Sequence, residues 1–202
     1  LPNNTRVIEM IVNYLKVAYL AVFFLLFAQN TFSQDDWSWL NPKPMGYSVL
    51  GSAILPSTST VVGVGTKGII VKTTDNGTSW ALIRSDNAQT LNAVSFPTAS
   101  VGYAVGNEGL ILKTTDQGET WNSIGSYSEG RSLTQVQFVS ESVGFINDKL
   151  NYKIYKTTDG GATWGLFVTS VYGYINSFEM FDGENGFCGT NGGYILKIAS
   201  GI

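Results

Sequence analysis

Three aspartates recur in nearly identical surroundings: Asp75, Asp116 and Asp159 lie in the eight-residue boxes TTDNGTSW, TTDQGETW and TTDGGATW. A carboxylate in a glycine-containing loop is a potential calcium ligand. The loop cores TTDNG, TTDQG and TTDGG each offer one carboxylate, whereas an EF-hand type of loop supplies several oxygen ligands and a closing Glu. We therefore predict no metal site and interpret the boxes as structural turns.

Each type of residue that recurs in the three boxes has a structural use. The Asp carboxylate can accept hydrogen bonds from backbone N–H groups of its own turn, and the Gly supplies a position with positive φ. The Ser or Thr before the Trp can hydrogen-bond within the same loop, and the Trp is large enough to pack between repeat units. The predicted structural residues are Thr73, Asp75, Gly77, Trp80, Thr114, Asp116, Gly118, Trp121, Thr157, Asp159, Gly161 and Trp164.

The boxes belong to longer repeat units. Lys72, Lys113, Lys156 and Lys197 are spaced at intervals of 41, 43 and 41 residues, and the runs LGSAIL, LNAVSF, LTQVQF and INSFEM recur upstream of them. Short runs rich in Val, Ile and Phe between Gly, Asn and Asp are typical of strands. Four antiparallel strands in about 42 residues indicate a blade of a β-propeller. We predict an all-β fold with blades at about 47–86, 87–128, 129–171 and 172–202.

The box pattern S/T-x-D-x-G-x-T-W resembles the Asp-box, or BNR repeat, of sialidase-like propellers. The wider units GIIVKTTDNGTSW and GLILKTTDQGETW are most similar to the photosystem II stability/assembly factor family and its non-photosynthetic bacterial relatives. The resemblance covers about residues 47–202. It implies a propeller that serves as a protein-binding or assembly scaffold, and it implies structural roles for the box residues.

The sequence leaves open how the set of blades is completed. The fourth unit stops before its box is finished, with Ser200 at the Asp position, and the run DDWSWL at 35–40 resembles the strand that follows each box. This run is predicted to supply the missing strand of the fourth blade and close a four-bladed ring, which would remove exposed strand edges. A segment of a longer propeller and a half-ring that dimerises are the alternatives, so the oligomeric state stays open.

The N-terminal region has the layout of a secretory signal peptide. Lys16 precedes an apolar stretch at 17–28, and Thr31 and Ser33 are small residues before a cleavage site at Gln34. A membrane-spanning helix needs about 20 apolar residues, so an anchor is the weaker interpretation. We predict a signal peptide at about 10–33 with an upstream extension, a propeller domain at 34–202, and a secreted, periplasmic or extracellular location without stable membrane insertion.

The composition argues against several classes of function. The chain has no His, which removes the commonest general base and metal ligand, and its one Cys, Cys188, excludes an internal disulfide framework and a Cys-based zinc site. Arg84 and Arg131 are the two arginines after residue 33, too few for the arginine cluster of a sialidase, and the net charge of −3 does not suit nucleic acid. We predict no catalytic residues, no cofactor and no nucleic-acid partner.

The loops that join the units differ most from one another and are the predicted contact surface. These loops read RSDNAQT, GSYSEGRS and VTSVYGY. The segments GSYSEG at 125–130 and SVYGYIN at 170–176 place Tyr beside Gly and Ser, a composition that suits adaptable binding surfaces. The candidate partner-binding residues are Tyr127, Arg131, Tyr172 and Tyr174. A protein partner is predicted and a glycan is possible. The alternatives are a sialidase-like glycan-binding or glycan-cleaving module and a segment of a larger cell-surface adhesin.

Overall fold

A computed structural model of the chain describes residues 47–85, 89–126, 131–170 and 172–199. Across these ranges the regular structure consists of strands and three 3₁₀ turns, at Thr66–Gly68, Asn107–Gly109 and Lys149–Asn151. The strands form four antiparallel sheets in sequence order. The predicted all-β propeller of antiparallel blades is therefore confirmed.

Three blades have four strands and the fourth has three in the part of the chain that is described. Blade 1 contains β1 (Val49–Ile54), β2 (Val61–Gly65), β3 (Ile70–Thr73) and β4 (Ala81–Arg84). Blade 2 contains β5 (Leu91–Ser95), β6 (Gly102–Gly106), β7 (Leu110–Thr114) and β8 (Asn122–Ser126). Blade 3 contains β9 (Leu133–Phe138), β10 (Gly144–Asp148), β11 (Lys153–Thr157) and β12 (Gly165–Thr169). Blade 4 contains β13 (Ile175–Met180), β14 (Gly186–Thr190) and β15 (Ile195–Ile198).

The hydrophobic core lies between blades. Side chains of a strand point alternately to its two faces, and both faces of a middle blade are covered by its neighbours. In β6, with the sequence GYAVG, every residue is therefore buried, whereas β4 and β12 at the outer edges are half-exposed. Blade 1 and blade 2 share a cluster that includes Leu55, Val62, Leu91 and Phe96. The cluster between blades 3 and 4 includes Phe145, Ile154, Phe178 and Cys188, whose thiol is buried.

The antiparallel order gives every blade two distinct ends. The first-to-second and third-to-fourth strand turns lie at one end, which we call the box end because it carries the three boxes. The second-to-third strand turns and the links between blades lie at the other, which we call the connector end. Backbone hydrogen bonds join the elements at each end: Asn76 donates to Ser59 at the box end, and Gly109 donates to Arg131 at the connector end.

The structure corrects the alignment of the first blade by one residue. The sequence comparison placed Leu50 with Leu91, but Val49 pairs with Gly65 as Leu91 pairs with Gly106. The reason is one additional residue in the turn between β1 and β2. Because side chains alternate, a slip of one residue exchanges the two faces of a strand, and the correction decides which β1 side chains point away from blade 2.

Several predictions fall outside the described residues. These are the signal peptide at about 10–33, the strand DDWSWL at 35–40 and the candidate contact residue Tyr127. In the ranges that are described, no helix has the length and apolar character needed to cross a membrane.

Candidate functional site

The first box forms a turn in which one carboxylate accepts hydrogen bonds from three groups. Asp75 Oδ1 accepts from Thr73 Oγ1 at 2.7 Å and from the Ser79 backbone N–H at 2.9 Å. Asp75 Oδ2 accepts from Ser79 Oγ at 2.6 Å. Thr73 Oγ1 in turn accepts from the Gly77 N–H at 2.9 Å. Both carboxylate oxygens are therefore used inside the turn, which leaves Asp75 poorly suited to bind an external ligand.

The second and third boxes repeat this pattern. Asp116 accepts from Thr114 and Thr120, and Asp159 accepts from Thr157 and Thr163. The glycine of each box has a φ of 82 to 89°, a left-handed conformation that favours glycine. The residue before it is left-handed as well, with φ of 55° at Asn76, 63° at Gln117 and 71° at Gly160. The sequence analysis missed this second left-handed position, although Asn and Gly there were a signal for it.

The hydrogen bonds lower the pKa of all three box aspartates. The pKa of Asp75, Asp116 and Asp159 falls from 3.8 to about 2, and the hydroxyl of Ser79, Thr120 or Thr163 is the largest cause. A general acid at neutral pH needs a pKa that is raised towards 7. The box aspartates are therefore ionised acceptors in a turn and do not fit the role of proton donors.

The tryptophans of the second and third boxes border the core clusters between blades. Each meets a phenylalanine of its own blade edge to face, Trp121 with Phe96 at 5.8 Å and Trp164 with Phe138 at 6.0 Å. The indole N–H donates to the carbonyl of the box glycine at 3.1 Å in both cases. The buried Trp80 Nε1 lacks such a partner in blade 1, the blade that has no described blade before it.

At the connector end, Arg131 holds a buried carboxylate. Its guanidinium donates to Asp148 Oδ2 and, at 2.9 Å, to the Tyr155 hydroxyl, and it lies 5.5 Å from the centre of the Tyr155 ring. Asp148 is fully buried and also accepts from Asn151 Nδ2 at 2.9 Å. Burial acts to lower the pKa of Arg131, but the hydrogen bonds to Asp148 and Tyr155 outweigh it and raise that pKa. Arg131, predicted as a contact residue, is thus engaged within the fold.

Four tyrosines form an aromatic surface at the connector end of blades 3 and 4, which we call the tyrosine face: Tyr152, Tyr172, Tyr174 and Tyr194. The rings of Tyr152 and Tyr174 are stacked at 4.6 Å, and those of Tyr172 and Tyr194 lie 5.0 Å apart. Tyr172 and Tyr194 are each about half exposed. A hydrogen bond with the Tyr174 side chain is the largest cause that raises the pKa of Tyr152. The tyrosine face therefore presents three exposed rings, Tyr152, Tyr172 and Tyr194, at the connector end.

The structure brings Tyr172 and Tyr174 together with two residues that the sequence analysis did not select. Tyr152 follows the 3₁₀ turn of blade 3, and Tyr194 lies in the equivalent turn of blade 4. Both turns join the second and third strands, so the antiparallel order places them at the same end as the links between blades. The signal in the sequence was their position, in NYKIY and GGYIL, directly before the third strand of a blade. The strand order alone would have placed both tyrosines at the connector end.

Metal ligands are not grouped anywhere in the described ranges: no three His, Cys, Asp or Glu side chains lie close enough together to hold an ion. Asp182 instead caps its own turn through the Asn185 side chain and backbone, and these hydrogen bonds lower its pKa. The arrangement as a whole offers structural carboxylates at the box end and an aromatic contact surface at the connector end.

Comparison with known proteins places these features in a family. The sequence profile described as photosynthesis system II assembly factor YCF48 matches residues 31–187. No curated protein sequence matches the chain. Among solved structures, YCF48 bound to D1 peptide has 21% sequence identity and a TM-score of 0.60, with 73% of this chain and 50% of that chain covered. YCF48 from Cyanidioschyzon merolae has 21% identity and a TM-score of 0.65, with 80% of this chain and 56% of that chain covered.

An enzyme structure shares the fold over a smaller part of its own length. The Niastella koreensis GH74 enzyme has 18% identity and a TM-score of 0.59, and the match covers 75% of this chain but 28% of the enzyme. Identities at this level show the fold alone. The chain spans about half the length of the two YCF48 structures.

Proposed function

The chain belongs to the photosynthesis system II assembly factor YCF48 family, and from that premise we propose that it is an exported, non-catalytic scaffold that binds a segment of a protein partner at its connector end. The partner class is supported by a related structure, which holds YCF48 with a D1 peptide.

The observation that carries the proposal is the tyrosine face. Tyrosine buries a large amphipathic ring at low cost in conformational entropy, and its hydroxyl can donate to or accept from a peptide backbone. Tyr172 and Tyr194 are half exposed yet already in contact with each other, so their rings are partly ordered before a ligand arrives. Preordered aromatic side chains lose less freedom on binding and are typical of binding hot spots.

The charges around the tyrosine face favour a peptide with acidic or carboxy-terminal groups. Lys149 is exposed in the 3₁₀ turn that ends at Asn151, and Lys153 begins the strand that follows Tyr152. Asp148, the nearest acid in sequence, is buried against Arg131 and contributes little to the surface. A ligand that combines apolar side chains with a carboxylate matches this surface.

Support for a non-catalytic role comes from the state of the carboxylates. Glycoside hydrolysis of the usual kind needs two carboxyl groups, one of which stays protonated until it donates. The box aspartates have pKa values of about 2 and bind groups of their own turns. Asp148 lies beneath Arg131, away from solvent.

A peptide selection tests the proposed function. A displayed library of random 12-residue peptides is selected on the purified chain, and the affinity of the best peptides is measured by fluorescence polarisation. We expect Tyr172→Ala and Tyr194→Ala to weaken binding at least tenfold, while the matched box-end control Thr115→Ala leaves it unchanged. Equal binding by all variants would contradict the assignment to the tyrosine face.

Two further measurements test the remaining parts. Turnover of a fluorogenic sialoside or of xyloglucan that follows the chain through purification would contradict the non-catalytic role, and retention on a carbohydrate array without turnover would favour the glycan alternative.

Export is tested by mass spectrometry of the chain from a bacterial periplasm. We expect a mature N-terminus at Gln34, and an uncleaved chain would contradict the signal peptide.

A further inference from the structure

The two outermost blade faces expose large apolar side chains. The leading face of blade 1, which points away from blade 2, includes Val49 at 54% and Ile54 at 69% exposure. The trailing face of blade 4, which points away from blade 3, includes Phe187 at 41% and Ile195 at 81% exposure. These exposed fractions show that no blade of the described residues covers either face.

The equivalent positions on the other blades are buried. The strand pairing aligns Val49 with Leu91, Leu133 and Ile175, and it aligns Ile54 with Phe96, Phe138 and Met180. These six side chains lie in the three interfaces between blades, and each is 8% exposed or less. The leading face of blade 1 is therefore one half of the kind of interface that the molecule already forms three times.

The trailing face of blade 4 is the matching half. Phe187 aligns with Tyr103 and Phe145, both fully buried. Ile195 aligns with residues that are 2% exposed or less: Ile70, Ile111 and Ile154. Large apolar residue types are kept at both positions although nothing in the described structure covers them.

A lysine-to-box contact accompanies the first two interfaces between blades, and blade 4 carries a lysine at the same repeat position. Lys72 donates to Glu119 in the box of blade 2 at 2.5 Å, and Lys113 reaches the Gly160 carbonyl in the box of blade 3 at 3.5 Å. Lys197 occupies the same repeat position and is exposed on β15. The first box, with Asn76 on its exposed tip, is the one that no described blade contacts in this way.

We propose that the trailing face of one copy packs on the leading face of a second copy, head to tail, and repeats the interior contact between blades. The interface is heterologous, so two copies close a ring if the rotation fits and longer assemblies form if it does not. The occupant is a second copy because each face is complementary to the other in residue type, position and the lysine-to-box contact. This inference is independent of the proposed ligand at the tyrosine face.

Sedimentation velocity at micromolar concentrations tests the proposal by measuring the state of association of the exported chain. The wild type is compared with Ile54→Lys in the leading face and Ile195→Lys in the trailing face. Both side chains are largely exposed, so these variants keep the fold, which circular dichroism checks. Leu166→Lys is the matched control, since Leu166 is 57% exposed on the outer strand of blade 3, where no blade interface forms. We expect the wild type and the control to associate, and each interface variant to dissociate at a concentration at least tenfold higher.

Mixing the two interface variants distinguishes head-to-tail contact from other modes. Each variant keeps one intact face, so a mixture of Ile54→Lys and Ile195→Lys should form a heterodimer that neither variant forms alone. A monomeric wild type, association that both variants leave unchanged, or a mixture that stays monomeric would each overturn the proposal.

Discussion

At the box end, three turns make the same hydrogen bonds with lengths that agree within 0.1 Å, such as the 2.9 Å bond from the Ser79, Thr120 or Thr163 N–H to the box aspartate. At the connector end, the side-chain contacts differ from blade to blade. Lys67 lies over Tyr47 in blade 1, Arg131 binds Asp148 in blade 3, and Tyr172 meets Tyr194 in blade 4.

The box-end contacts maintain the structure of each blade, whereas the connector-end contacts differ from one blade to the next. The box hydrogen bonds join residues two to four positions apart, so the same eight residues build the same turn wherever they occur. The connector contacts join residues of different elements, so each depends on its own pair of side chains. Repetition therefore stabilises the fold, and divergence at the connector end is available for recognition.

The largest effect on stability is expected at the connector end, although the repeated contacts that stabilise the blades lie at the box end. Arg131→Ala leaves the buried Asp148 carboxylate without its guanidinium and should reduce the free energy of unfolding by about 3 kcal/mol, measured by urea denaturation. The double variant Arg131→Ala with Asp148→Ala should regain part of this loss, since the unpaired buried charge is removed. A double variant less stable than the single one would contradict the explanation.

The second effect concerns a single box. Thr114 is buried, and its hydroxyl accepts from the Gly118 N–H at 3.0 Å and donates to Asp116 at 2.7 Å. Thr114→Val removes one of the hydrogen bonds to Asp116 and leaves the Gly118 N–H without this acceptor, so it should cost about 2 kcal/mol in the free energy of unfolding. The neighbouring Thr115 is exposed, so Thr115→Val is the matched control and should change stability by less than about 0.5 kcal/mol. Equal effects of the two substitutions would contradict the assigned role of the Thr114 hydroxyl.

Acid should weaken the box end selectively. The pKa of each box aspartate is 3.8 in the unfolded chain and about 2 in the fold. The ionised box therefore contributes its full stability above pH 3.8, and this contribution is lost as the pH falls from 3.8 through about 2. We expect melting temperatures to decline across this window, and to decline less steeply in Asp116→Asn. An identical slope in that variant would show that other groups cause the decline.

The smallest effect on stability is expected at the tyrosine face. Tyr172 and Tyr194 are about half exposed and contact each other rather than the core. Tyr172→Ala and Tyr194→Ala should therefore change the free energy of unfolding by less than about 1 kcal/mol, including the lost ring contact. If either substitution destabilises the fold as much as Thr114→Val does, the division between the two ends does not hold.

Much of the fold followed from local patterns. The number of blades, the order of strands and the position of the boxes between third and fourth strands all rest on short runs that repeat at about 42 residues. The alignment of β1 failed by one residue, since Leu50 and Val49 are equally apolar and the longer turn before β2 leaves no mark in the pattern. The strand predicted at 35–40 and the contact residue Tyr127 stay predictions.

The sequence by itself determined the box turns, because their hydrogen bonds close within five residues and need nothing from the rest of the chain. Only the tertiary structure decided that Arg131 binds Asp148, 17 positions away, and Tyr155, 24 positions away. It also decided that Tyr152 and Tyr194 join Tyr172 and Tyr174, since the antiparallel course of the strands brings separate turns to one end. Contacts of this kind depend on how whole blades stack, and a single sequence does not record that in any local pattern.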